Sequence, residues 1–146
     1  MEITFTKEQH ENLIKLVYLG SWMVNSIRED KGVKKFDDLE QYIYSFAKAA
    51  GMGKLIEYDP ETKQYFPTFE LEEDAEVEQY RQEYDDYNFW EELTYALARR
   101  DFIKEYGENA IKKMSMEERF EKEQPFIEKY EEEFEKYGIE RLKIER

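Results

Sequence analysis

The stretch Val77-Glu78-Gln79-Tyr80-Arg81-Gln82-Glu83-Tyr84-Asp85-Asp86-Tyr87-Asn88-Phe89-Trp90-Glu91 decides how the chain reads. Val77, Tyr80, Tyr84 and Tyr87 recur at helical spacing, so one face of a helix is made largely of tyrosine. At about 100° per residue, Glu72, Glu76 and Glu83 fall along one flank of this seam and Asp74, Glu78 and Asp85 along the other. The pattern predicts a helix from Glu72 to Tyr87. A second helix is expected to open at Asn88, with Glu91 in the place of a capping-box partner, and to carry Phe89, Leu93, Ala96, Leu97 and Ile103 up to Gly107.

Charge singles out the same stretch. The chain has 146 residues, with 22 Lys plus Arg against 36 Asp plus Glu, a formal net charge of −14. Residues 70–92 hold one basic and eleven acidic side chains, a net of −10, while residues 1–69 and 93–146 each come to −2. On a helix this is roughly one net negative charge every 3–4 Å, near the phosphate spacing of one DNA strand. Charge runs are commonly no more than solvated faces. Read more sharply, Glu72, Glu73, Asp74, Glu76, Glu78, Tyr80, Glu83, Tyr84, Asp85 and Asp86 form an acidic ridge that docks a basic partner, its carboxylates standing in for phosphates.

Working outward, Thr6-Lys7-Glu8-Gln9 has the capping-box pattern and starts a first helix ended by Arg28 to Gly32, with Gly20 open to close approach by another element. Asp37 or Asp38 is expected to cap a second helix, with Leu39, Tyr42, Ile43, Phe46 and Ala50 on one face and Gly51-Met52-Gly53 as its stop. Leu55–Tyr58 and Gln64–Pro67 flank the turn Asp59-Pro60-Glu61-Thr62-Lys63 and read as a hairpin. Ser115-Met116-Glu117-Glu118 caps a last helix that ends at Gly138, and Pro125 is expected to kink or break it. Glu2-Ile3-Thr4-Phe5 and Arg141-Leu142-Lys143-Ile144 alternate like short strands.

These signals predict an α+β fold, predominantly α-helical, with four to five helices and a small sheet from the hairpin or the termini. Nothing marks a domain boundary, so a single domain over residues 1–146 is expected. The expected core is Leu13, Leu16, Val17, Trp22, Met23, Ile27, Leu39, Ile43, Phe46, Trp90, Leu93, Leu97, Ile103, Phe120, Ile127 and Phe134.

Several chemistries lack their residues. With no cysteine there is no disulfide, thiolate metal site or cysteine nucleophile, which fits a cytoplasmic setting. His10 is the one histidine, and at its helical position a partly buried, hydrogen-bonded ring is expected rather than a catalytic one. Ser21, Ser26, Ser45 and Ser115 have no nucleophile-elbow context, and Gly51-Met52-Gly53-Lys54 lacks phosphate-loop spacing. No cofactor is expected. The acidic balance argues against direct nucleic-acid binding, and no apolar run is long enough for a membrane span. Arg99-Arg100-Asp101 follows Glu91 and Glu92 by about two turns, so internal ion pairs across this helix pair are expected.

The reading favoured is a non-enzymatic interaction module that meets a basic protein surface, in its most concrete form a nucleic-acid-mimicking inhibitor. Two alternatives stand beside it. One is a carboxylate-dependent protein or enzyme binding Ca²⁺ or Mg²⁺, although no EF-hand loop is present. The other is self-association into a homodimer, with the basic patch Arg28, Lys31, Lys34 and Lys35 meeting the ridge of a second copy.

Overall fold

The computed structural model describes residues 3–29 and 32–143. Among them are six helices and one two-stranded antiparallel sheet: α1 (Lys7–Asn25), α2 (Lys34–Tyr44), β1 (Ile56–Asp59), β2 (Gln64–Pro67), α3 (Phe69–Glu72), α4 (Ala75–Tyr106), α5 (Glu108–Ile111) and α6 (Met116–Tyr137). The fold is α+β and mostly helical. The chain divides into two compact units, Met1–Gln82 and Glu83–Arg146, each with its own core, and the boundary falls within α4.

In the first unit, α1 opens on the expected capping box: the Gln9 amide donates to Thr6 Oγ1 and the Thr6 amide to Gln9 Oε1. The buried face of α1 centres on Ile14, flanked by half-buried Val17 and Tyr18. Leu16 and Met23 are exposed, because two and nine residues from Ile14 place them on the far side of the helix. Ile27 is exposed beyond the helix end. No other element approaches Gly20 within 4 Å of where a Cβ would stand, contrary to the expected close crossing.

Helix α2 begins earlier than its acidic residues suggest, with Val33 as N-cap. Asp37 is drawn instead into a side-chain bond, accepting from Asn25 Nδ2 at 2.9 Å, while Asn25 Oδ1 accepts from the Val33 amide. One asparagine thus fastens the end of α1 to the start of α2. The helix stops at Tyr44 and turns carry the chain to Gly51, which has a φ of +78°. Tyr44 and Ala47 are the buried residues here, whereas Leu39 and Phe46 point outward.

The hairpin pairs Ile56 with Pro67 through Asp59 with Gln64. Its turn is held by Asp59, whose carboxylate accepts from the Glu61 amide and from the Thr62 amide and hydroxyl. Gln41 of α2 satisfies the outer edge of β2, donating to the Tyr65 carbonyl and accepting from the Tyr65 amide. Ile14, Tyr44, Met52, Leu55, Leu71 and Val77 form the heart of this core. The sheet is the hairpin alone: Ile3–Phe5 and Arg141–Lys143 are not strands, and Glu2 and Ile144 lie outside the described residues.

In the second unit, α4 continues unbroken through Asn88. Asn88 turns its side chain back to donate to the Tyr84 carbonyl, the bond open to an asparagine inside a helix, and so caps nothing. Gly107, at φ +77°, ends α4. Ser115 caps α6 as expected, its Oγ accepting from the Glu118 amide.

Helix α6 then passes through Pro125 without a break. Pro125 is exposed, five residues from buried Tyr130 and hence toward the solvent side, where water can reach the carbonyl that a proline leaves unpaired. Ring contacts fix the antiparallel packing of α4 on α6: Trp90 meets Phe134 at 5.6 Å and Phe102 meets Phe126 at 5.8 Å. Ala98, Tyr130 and Phe134 are buried between them, Leu93, Leu97 and Ile127 are half-buried, and Phe120 is exposed.

Candidate functional site

The ten ridge residues divide between the two units. Glu72 closes α3 and the chain turns at Glu73 and Asp74, so a helix does not run from Glu72 as expected. Asp74 is the cap of α4: its Oδ1 accepts from the amides of Glu76 and Val77. Its carboxylate also takes an ion pair at 2.9 Å from Lys15 of α1, which pairs with Glu76 at 2.9 Å as well. Burial works against the charge on both partners. The bonds from Lys15 and from backbone amides prevail, holding the Asp74 carboxyl below its ordinary range and the Lys15 ammonium above its own.

Glu78 pairs with Arg81 at 3.2 Å, and the Arg81 guanidinium lies 4.8 Å from the Trp22 ring. Much of the acidic charge in this unit is therefore answered internally. Lys15 is far from the ridge in sequence, and counting cations within residues 70–92 could not reveal it. Tyr80, 49% exposed, is within 3.4 Å of Glu76 through its hydroxyl.

The second unit holds Glu83, Tyr84, Asp85 and Asp86, all exposed. Asp85 and Asp86 take no ion pair or side-chain hydrogen bond among the described residues. Tyr84 is 45% exposed and Tyr87 63%, so neither ring is spent on the core. The Tyr87 hydroxyl donates to Glu91 Oε1 at 2.9 Å, which pushes that phenol up.

Tyr87 and Glu91 line a groove of about 610 Å³ between α4 and α6. Trp90, Thr94 and Tyr95 complete its α4 wall, and Glu131, Phe134 and Glu135 form its α6 wall. No lysine or arginine lines it. Sequence reading missed the α6 contribution. Glu131 and Glu135 are one helical turn apart on either side of Phe134, but only the antiparallel pairing places them opposite Tyr87 and Glu91.

The opposite flank of the same helix pair is basic. Arg100, Lys104, Lys129, Arg141 and Lys143 line a hollow of about 780 Å³ with only Asp101 and Glu133 as acids. Asp101 accepts from the Tyr130 hydroxyl at 2.6 Å and pairs with Arg100 at 2.8 Å and Lys129 at 3.2 Å. Burial opposes its charge, but these three donors prevail and hold the carboxyl at about 2. Arg99 reaches Glu123 on α6, so the arginines do not pair with Glu91 or Glu92 as expected. The pairs run between helices or to a neighbour, because the side chains follow the interface.

Elsewhere, His10 is half-buried beside Phe5, and its Nε2 is buried without the hydrogen bond expected of it. Of the basic patch, Lys34 pairs with Asp38 and Lys35 lies over Phe36, while Lys31 is outside the described residues. Among the described residues, no group of three or more His, Asp or Glu is arranged to hold a metal ion, and no helix is long and apolar enough to cross a membrane. No known family model matches the chain, and neither a curated protein nor a solved structure does.

Proposed function

We propose that this protein is an acidic, non-enzymatic interaction module of the cytoplasm whose partner presents a basic protein surface. The observation that carries this reading is the exposure of Tyr84 and Tyr87 beside Asp85 and Asp86, which have no counter-charge among the described residues. Tyrosine offers a large rigid ring with a polar tip, and a solvent-facing row of such rings next to uncompensated carboxylates suits an interface. Carboxylates at this density also suit mimicry of a phosphate backbone toward a partner that otherwise holds nucleic acid.

Calorimetric titration of the full chain with a lysine- and arginine-rich peptide tests the reading. Affinity is expected to fall as salt rises and to fall again in Asp85→Asn/Asp86→Asn. Binding that ignores both changes, or no binding, removes it. Asp74 and Glu76 are unsuited to this test because they hold Lys15.

A second reading is favoured by the basic flank of α4 and α6: the basic surface belongs to another copy of the same chain. Light scattering distinguishes it, since a charge-driven dimer loosens with added salt.

A further inference from the structure

We infer that the groove between α4 and α6 is the subsite for one arginine side chain of the basic partner. This deepens the proposed function and rests on it. Two features of the groove converge. Its rings, Tyr87, Trp90, Tyr95 and Phe134, come from both walls, and a ring face is a surface on which a flat cation stacks. Its charged groups are Glu91, Glu131 and Glu135, with no cation to answer them. Thr94, 6% exposed, lines the groove between them.

Other occupants fit less well. An apolar side chain would strip water from three carboxylates and return nothing for it. An anion would meet three like charges. A metal ion needs several oxygens converging at about 2.0–2.6 Å, and no such group exists among the described residues. Between the two cationic side chains, the ammonium of lysine is compact and strongly hydrated. The guanidinium of arginine is planar and weakly hydrated, stacks on aromatic rings and can engage two acceptors at once. A groove with ring walls and carboxylates on both sides matches the second description. Glu91 is already oriented by the Tyr87 hydroxyl, so one acceptor is in place before the ligand arrives.

The test uses the full chain carrying Trp22→Phe, which leaves Trp90 as the only tryptophan. Two peptides are titrated: one of lysines with a single central arginine, and the same peptide with lysine at that position. Binding is followed by calorimetry and by Trp90 fluorescence. The arginine peptide is expected to bind about tenfold more tightly and to change the Trp90 emission. Glu131→Gln/Glu135→Gln should remove that advantage while leaving helical circular dichroism unchanged, and Tyr95→Ala, at an exposed ring, should weaken it independently. Equal binding of both peptides without a Trp90 response overturns the arginine subsite and leaves the interaction module standing. If neither peptide binds, both are overturned.

Discussion

The two flanks of the α4 and α6 pair are built from the same two helices and do opposite things with charge. On one flank Asp101 is enclosed by Arg100, Lys129 and the Tyr130 hydroxyl, and cations outnumber acids around it. On the other, Glu91, Glu131 and Glu135 stand among aromatic rings with no cation at all. Residues 93–146 come to a net of only −2, so counting along the chain makes this region look balanced. The charge is sorted across helix faces, where a sum over consecutive residues cannot detect it. One flank uses its charges to fasten the helices together. The other leaves its charges unanswered, which is what a surface waiting for a partner requires.

If that contrast holds, removing charge from the two flanks must have different consequences. The largest effect is expected from Asp101→Ala. It strips the shared acceptor from Arg100, Lys129 and Tyr130 and leaves the Tyr130 hydroxyl in a largely buried site. A loss of about 2–3 kcal/mol in unfolding free energy should follow in a urea titration. A loss no larger than that of an exposed pair would mean that the network only decorates the surface.

The next effect is a pH dependence. The folded pKa of Asp101, about 2, lies below its ordinary 3.8, so its contribution is present above pH 3.8 and is lost as pH falls toward 2. The side chain is 19% exposed. Allowing for solvent screening, the contribution is about 1–2 kcal/mol. Melting temperatures of the native chain and of Asp101→Asn should therefore converge between pH 4 and pH 2. Parallel curves would assign the acid sensitivity to other carboxylates.

How much of this was legible beforehand depends on whether a signal is local. The capping residues Thr6 and Ser115, the hairpin turn at Asp59 and the stop at Gly138 are settled by neighbours a few positions away, and their sequence patterns predict them. Asn88 and Pro125 carry equally local signals that point the wrong way. Packed rings follow directly after each, and burial of Trp90, Phe126, Tyr130 and Phe134 outweighs a cap preference or one missing hydrogen bond. The exposure of Leu16 and Leu39 was hidden for a related reason: several apolar stripes can be drawn on a helix, and only its partner selects one. Of the ridge, the exposed tyrosines follow the predicted register. The Lys15 clamp and the α6 wall of the groove depend on contacts between distant segments, for which no spacing rule exists.

Tyr130→Phe isolates one strand of the Asp101 network. The ring remains packed against Phe134 at 5.8 Å, and only the hydroxyl bonds to Asp101 and Arg100 are lost. A cost of about 1 kcal/mol is expected, smaller than that of Asp101→Ala because Asp101 keeps both cations. If the two substitutions cost the same, the hydroxyl rather than the cations holds this flank.

The smallest effect on stability belongs to the acidic flank. Glu131→Gln/Glu135→Gln removes two carboxylates that make no ion pair among the described residues, so no native bond is broken. The lost repulsion among Glu91, Glu131 and Glu135 should leave the protein unchanged or up to about 0.5 kcal/mol more stable, read as an equal or higher melting temperature at neutral pH and low salt. The gain should shrink as salt rises, since screening already does in the native chain what the substitution does permanently. Destabilisation by more than about 1 kcal/mol would show that these carboxylates support the fold. The two flanks would then differ in degree and not in kind, and the case for an open cation-binding groove would lose its physical basis: charges held for a partner, unlike charges held for the fold, cost stability while the partner is absent.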